Sequence, residues 1–115
     1  TSMAARFQIQ QARNGKYYFH LLANNGEIIL ASQMYASKSS AKKGILSVQS
    51  NATDPSRYEA LVNKAGEHYF VLKAKNSLVI GTSEGYANST GMKSGIKSVS
   101  RNAPKAITED IIVKT

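Results

Sequence analysis

The stretch NGKYYFHLLANNGEIILAS, Asn14–Ser32, returns as AGEHYFVLKAKNSLVIGTS at Ala65–Ser83. The correspondence extends well beyond it. Arg6–Ala52 aligns without a gap on Arg57–Ala103, an offset of 51 positions. Identical pairs run the whole way, from Gly15/Gly66, Tyr18/Tyr69 and Phe19/Phe70 to Gly44/Gly95, Val48/Val99 and Asn51/Asn102. A unit this short is one supersecondary motif whose apolar face is too small to close alone. Two such units in a chain of 115 residues must therefore share one core, which predicts a single domain over residues 1–115.

Within each unit the hydrophobic period changes once. RFQIQQA, KYYFHLLA and EIILAS are rich in aromatic and β-branched residues and read as strands. The breaks Asn14-Gly15 and Asn25-Gly26 predict two-residue hairpins of type I′, which need positive φ at both central positions. The second copy softens them to Ala65-Gly66 and Asn76-Ser77. Beyond the third strand Ala41, Ile45, Val48 and Ala52 fall on one helical stripe, repeated by Met92, Ile96, Val99 and Ala103. Ser37 and Asn88 are the expected N-caps, with Asp54-Pro55 and Pro104 as the stops. A last strand follows each helix. AITEDIIVK sets Ile107, Ile111 and Val113 on one face, and RYEALV does the same with Tyr58, Ala60 and Val62. The strand Arg57–Val62 is thus expected to close the first repeat as well as open the second. The resulting fold is α+β: two β-β-β-α-β repeats, about 6–56 and 57–113, sharing one mainly antiparallel sheet. Both helices lie on one face, and terminal strands are exchanged.

These motifs carry a resemblance. Asn-Gly-x-Tyr-Tyr-Phe, Ala-x-Asn-Gly-Glu-x-Ile, Met-Tyr-x-Ser-Lys and Gly-Ile-x-Ser-Val-x-x-Asn-Ala together resemble the YegP-like family of small, mostly bacterial proteins. The likeness covers nearly the whole chain in both copies. It implies a sheet of two three-strand-helix-strand units with exchanged terminal strands. It implies no activity and assigns no functional residue. The second copy departs at GYANST, where the first has MYASKSS.

Little in the sequence speaks for catalysis. Cysteine is absent, which excludes disulfides, thiolate metal sites and a cysteine nucleophile. His20 and His68 have opposite parity in matched strands and should face opposite sides of the sheet, which argues against a histidine metal pair. Asp54, Asp110 and the five glutamates are scattered, and no carboxylate dyad, nucleophile elbow or phosphate loop appears. No catalytic, cofactor or metal site is expected. No apolar run approaches the ~20 residues of a membrane span. TSMAARF lacks the apolar core of a signal peptide, so the cytoplasm is the expected compartment and no membrane partner is expected.

The formal charge of +8 favours acidic partners and directs attention to two surfaces. The first is the sheet face away from the helices, where alternation places Tyr18, Tyr69, Arg6, Arg57, His20 and Lys73. Tyrosines flanked by arginines there would resemble the stacking platforms of sheet-based RNA binders. Leu22, Leu61 and Val71 on the same face would suit weak homodimerisation. The second is a cationic stripe, Lys93, Lys97, Arg101 and Lys105, opposite the apolar stripe of the second helix and aided by Lys38, Lys42 and Lys43 of the first. No acid occurs between Glu84 and Glu109 to offset it. Mid-helix Gly44 and Gly95 mark close approach of helix to sheet or room for a ligand, and Tyr35 and Tyr86 are expected at the core edge or on a binding rim. The leading expectation is a non-enzymatic binding or interaction module whose ligand the sequence does not identify, with nucleic acid or an acidic protein as the candidate partners its charge suggests. Nucleic-acid binding through the stripe or the open face is the alternative, and a small-molecule enzyme comes last.

Overall fold

The computed structural model describes residues 5–110. Strands β1 (Arg6–Gln11), β2 (Tyr17–Leu22) and β3 (Ile28–Ala31) lead into helix α1 (Lys38–Asn51). Strands β4 (Tyr58–Val62), β5 (His68–Lys73) and β6 (Val79–Thr82) lead into α2 (Ser89–Asn102), and β7 (Ile107–Asp110) follows. Single 3₁₀ turns, Pro55–Arg57 and Ala103–Lys105, carry the chain out of each helix. Ile111 and Val113, expected on the last strand, lie outside the described residues.

The seven strands form one sheet in the order β4-β5-β6-β3-β2-β1-β7. Each repeat supplies an antiparallel meander, and the two meet where Ala31 pairs with Thr82. Among the described residues the one parallel pair is β1 with β7, in the register Arg6↔Ile107 to Ile9↔Asp110. This is the expected α+β fold with an exchanged terminal strand, except that β4 does not close the first repeat. Among the described residues it pairs only with β5, and β7 closes the first repeat by lying outside β1.

Local chemistry explains the elements. Ser37 Oγ accepts from the Ser40 N–H and Asn88 Oδ1 from the Gly91 N–H, each capping its helix as expected. The hairpins differ from expectation. Gly15, Gly26 and Gly66 have positive φ but the asparagines before Gly15 and Gly26 do not. The Gly15 N–H donates to Ala12 O and the Ala12 N–H to Lys16 O, so the loop is a type I turn closed by a left-handed residue. Its three residues, not two, reconcile an L-residue at Asn14 with the strand twist. The same bonding recurs at Ala23–Glu27, Asn63–Glu67 and Ala74–Leu78, with Ser77 left-handed at φ 72° in the last.

Both helices pack on one face over a single core. Phe7, Ile9, Phe19, Leu21, Phe70 and Leu72 point from the sheet into Ala41, Ile45, Val48, Met92 and Val99. Matched aromatic pairs repeat across the halves: Phe7 meets Phe19 edge-on at 5.7 Å, and Tyr58 meets Phe70 edge-on at 5.6 Å. Burial of this shared cluster, at about 25 cal/mol per Å² of apolar surface, is what neither repeat could obtain alone.

Candidate functional site

The mid-helix glycines make room for protein, not for a ligand. Tyr35 slides its ring beneath α1, stacked on Phe19 at 6.1 Å and 14°, and Tyr86 does the same beneath α2 on Phe70 at 6.5 Å and 12°. A Cβ on Gly44 would lie 2.6 Å from Tyr35 Cζ, and one on Gly95 2.7 Å from Tyr86 Cζ. The tyrosines are thus core-edge fillers. Burial raises both phenol pKa values, for Tyr86 with help from Glu27 and Glu84.

On the open sheet face the candidate residues are mostly engaged with one another. Arg6 Nε lies 3.2 Å from Glu109 Oε1, Lys73 pairs with Glu59, and Arg57 Nε is 3.4 Å from Asp54 Oδ2. The Tyr18 hydroxyl donates to Gln10 Oε1 at 2.8 Å, and its ring leans on His20 at 5.2 Å. His20 is also 3.4 Å from Gln10 Nε2, and burial lowers its pKa against the opposing pull of Glu84. Through the row His20, Ala31, Thr82, Val71, strands β2 and β5 run antiparallel with two strands between them. Tyr18 and Tyr69 are displaced from that row in opposite directions, which sets them roughly 20 Å apart. They are not neighbours on a stacking platform. Leu22 and Val71, expected to be exposed, are each only 7% exposed, so this face offers less apolar surface to a second copy than alternation suggested.

The cationic stripe presents a different picture. Lys93, Lys97 and Arg101 are exposed on α2, and among the described residues none forms an ion pair. Lys105 is exposed but belongs to the 3₁₀ turn after the helix, not to the helix itself. On α1, Lys42 and Lys43 are exposed, whereas Lys38 is paired with Asp110. The stripe and the open sheet face lie on opposite sides of the sheet and cannot form one site.

Two grooves run along the seams between helix and edge strand. In the first repeat Lys42, Ile45, Leu46 and Gln49 face Ile9, with Thr108 and Asp110 of β7 completing the lining around ≈ 380 Å³. In the second, Ile96, Lys97, Ser100 and Arg101 face Tyr58, with Thr53 and Pro55 at one end, around ≈ 420 Å³. Ile96, Lys97 and Ser100 are the repeat mates of Ile45, Leu46 and Gln49. Among the described residues no strand closes the second groove. Sequence reasoning missed this seam, although the replacement of Leu46 and Ser50 by Lys97 and Arg101 was readable in the alignment of the repeats.

A sequence signature described as a domain of unknown function, DUF1508, matches residues 12–59 and again residues 63–110. The chain belongs to the DUF1508 family. The UPF0339 protein YegP of Yersinia pestis is 53% identical over 105 residues, covering 91% of this chain and 94% of that protein. A UPF0339 protein of Acinetobacter baylyi is 49% identical over 109 residues, covering 95% and 98%. The solution structure of YegP from Escherichia coli, itself described as a protein of unknown function, matches with a TM-score of 0.91 at 39% identity, covering 100% of this chain and 99% of that one. This DUF1508 chain therefore shares its fold with uncharacterised bacterial relatives. Among its described residues no helix is long and apolar enough to cross a membrane, and no cluster of histidine and carboxylate side chains is arranged to hold a metal ion.

Proposed function

We propose that this protein is a non-enzymatic binding module that docks an anionic macromolecular partner on the exposed cations of α2. One contrast carries the reading. Arg6, Lys38, Arg57 and Lys73 each have a carboxylate partner, while Lys93, Lys97 and Arg101 have none among the described residues. Like charges at i, i+4 cost a helix a few tenths of a kcal/mol per pair. The helix dipole offsets that cost near the C-terminus, at Arg101, but not at Lys93 in the first turns. Lys42, Lys43 and Lys105 extend the same positive side. An acidic polypeptide is favoured over nucleic acid because the stripe borders a groove beside a strand edge that is unpaired among the described residues, and because Tyr18 and Tyr69 do not lie side by side on the open sheet face. Against catalysis stands the placement of His20 and His68 on opposite faces, with Glu59, Glu109 and Asp110 each held by a cation.

The test is Lys93→Glu with Lys97→Glu, titrated at low salt with polyglutamate and with single-stranded nucleic acid. The parent is expected to bind polyglutamate and the variant to lose that binding. Stronger binding of nucleic acid, with a steep salt slope, would shift the partner to nucleic acid. A parent that binds neither polyanion at low salt, or a variant that binds as the parent does, refutes the reading.

A further inference from the structure

We infer that the outer edge of β4 binds an extended acidic segment of a partner protein as an added parallel strand, with its helix-side carboxylates against the cations of α2. This rests on the anionic-partner reading and specifies its ligand.

The molecule displays the binding mode on its own first repeat. There β7 lies parallel on β1, the repeat mate of β4. On the open side Glu109 takes Arg6 and accepts from Gln8 Nε2 at 3.2 Å. On the helix side Asp110 pairs with Lys38 and lines the groove with Lys42. Gln49 Nε2 holds the incoming turn by donating to Ala103 O at 3.1 Å and Ala106 O at 3.3 Å. Acidic side chains thus fasten a strand to this kind of edge from both faces.

The second repeat lacks the strand and has exchanged most of the groups that hold it: Arg57 repeats Arg6, but Gln8, Lys38 and Gln49 have become Glu59, Ser89 and Ser100, and the cations stand one turn further along the helix at Lys97 and Arg101. Among the described residues β4 has β5 as its only neighbour. Its helix-side residues are left open: Ala60 is exposed and Val62 is 58% exposed, while the mate of Ala60, Ile9, is fully buried. Lys93 is the mate of Lys42, and the groove has gained Lys97 and Arg101, so it is more cationic than the one that already seats a carboxylate.

Register defines the ligand and argues against a second copy. By analogy with β7, an added strand sets alternate residues toward α2, opposite Tyr58 and Ala60, and these should be acidic. The residue opposite Glu59 should not be, because like charges directly opposite one another disfavour pairing. The chain's own Ile107-Thr108-Glu109-Asp110 would place Glu109 against Glu59, while Ile107 would stand against Arg57 as it stands against Arg6 in the first repeat. An alternating acidic/β-branched segment avoids the clash of Glu109 with Glu59 and supplies main-chain hydrogen bonds to the edge of β4.

The probe is a labelled (Val-Asp)₅ peptide, with (Val-Asn)₅ and an alternately N-methylated (Val-Asp)₅ as controls. The readouts are anisotropy and amide hydrogen exchange of the full protein. Expected are saturable binding of (Val-Asp)₅ only, slowed exchange confined to Tyr58–Val62, and a roughly five- to tenfold loss of affinity in Lys97→Ala/Arg101→Ala. Equal binding of the N-methylated peptide, without protection of β4, would overturn strand addition while leaving α2 as an anion-docking face. Failure of (Val-Asp)₅ alongside failure of polyglutamate would overturn both readings. Failure of the peptide with binding of nucleic acid, or with a concentration-dependent dimer that protects β4, would overturn this inference alone.

Discussion

Gly95→Ala should reverse its sign of effect depending on the residue at position 86. At an unconstrained mid-helix site, replacing glycine by alanine stabilises by about 1 kcal/mol. Here the added Cβ would stand 2.7 Å from Tyr86 Cζ and 3.1 Å from Phe70 Cε2, so one of the rings must shift. The Tyr86 ring is not free to do so. It stacks on Phe70, and its backbone is tied to His68 by N–H···O bonds of 2.7 and 2.8 Å in the two directions. Overpacking of this sort costs about 1–3 kcal/mol. The net for Gly95→Ala is a destabilisation of about 0–2 kcal/mol, or roughly 4 °C of melting temperature per kcal/mol for a domain of this size. Tyr86→Ser will itself destabilise, but in that background Gly95→Ala should gain up to about 1 kcal/mol. Denaturant unfolding of the four proteins in the cycle gives the coupling directly. Gly44 with Tyr35 is an internal replicate, with Tyr35 Cζ at 2.6 Å and Phe19 Cε2 at 3.0 Å from the added carbon. If Gly95→Ala stabilises the parent as much as it stabilises the Tyr86→Ser variant, the ring does not occupy the space assigned to it.

Ser77→Gly should raise stability by about 0.5–1 kcal/mol in urea unfolding, because Ser77 alone among the four hairpin residues at positive φ carries a side chain; an unchanged midpoint would contradict this. His20 yields a pH dependence of fixed sign. Its folded pKa lies below the ordinary 6.5, so below pH 6.5 the unfolded chain binds the proton first and stability falls until the folded pKa is passed. His20→Gln should flatten thermal stability over that window, and a parent that grows more stable on acidification there would reverse the sign. Deleting Ala106–Thr115 removes β7 and the partners of Arg6 and Gln8, and should lower the single cooperative melting transition of the whole chain. Melting at the parent temperature with an unchanged heat-capacity step would show that β7 lies outside the shared core.

Much of the fold was legible because two periods were written twice. The helical stripes at Ala41–Ala52 and Met92–Ala103, their caps, and the alternation of Phe19 with Leu21 and Phe70 with Leu72 each depend on neighbours along the chain. What depended on distant pairing was not legible. Asn14-Gly15 is compatible with a two-residue or a three-residue loop, and the choice is made by where Ala12 and Lys16 pair. Gly44 and Gly95 announced a close approach but could not say that a tyrosine ring was what approached. β4 and β7 read alike, since each follows a helix and matches β1, and only the assembled sheet shows which one the first repeat receives. The cations of the open face could not be told from those of α2 by sequence, because the carboxylates that neutralise Arg6 and Lys73 come from other strands.

The inequality of the two edges follows from counting strands. Two three-stranded meanders joined at β3 and β6 give a six-stranded sheet whose edges, β1 and β4, are equivalent by the repeat. Among the described residues a seventh strand covers one of them only. The residues have diverged accordingly. Where β7 covers β1, Phe7 and Ile9 are fully buried and Gln8 accommodates Glu109. On the uncovered edge the same three positions are Tyr58, Glu59 and Ala60, and the helix above has exchanged Leu46 for Lys97. A bare edge invites pairing with another copy, and charge is the usual defence. Glu59 with Lys73 provides that defence on the open side of β4, while the helix side carries only cations. An edge guarded solely against self-pairing would be served by charge of either sign on both sides. On the strand-addition inference this edge instead opposes an acid at one register position and attracts acids at the two beside it, which is a pattern of selection among strands rather than of plain exclusion.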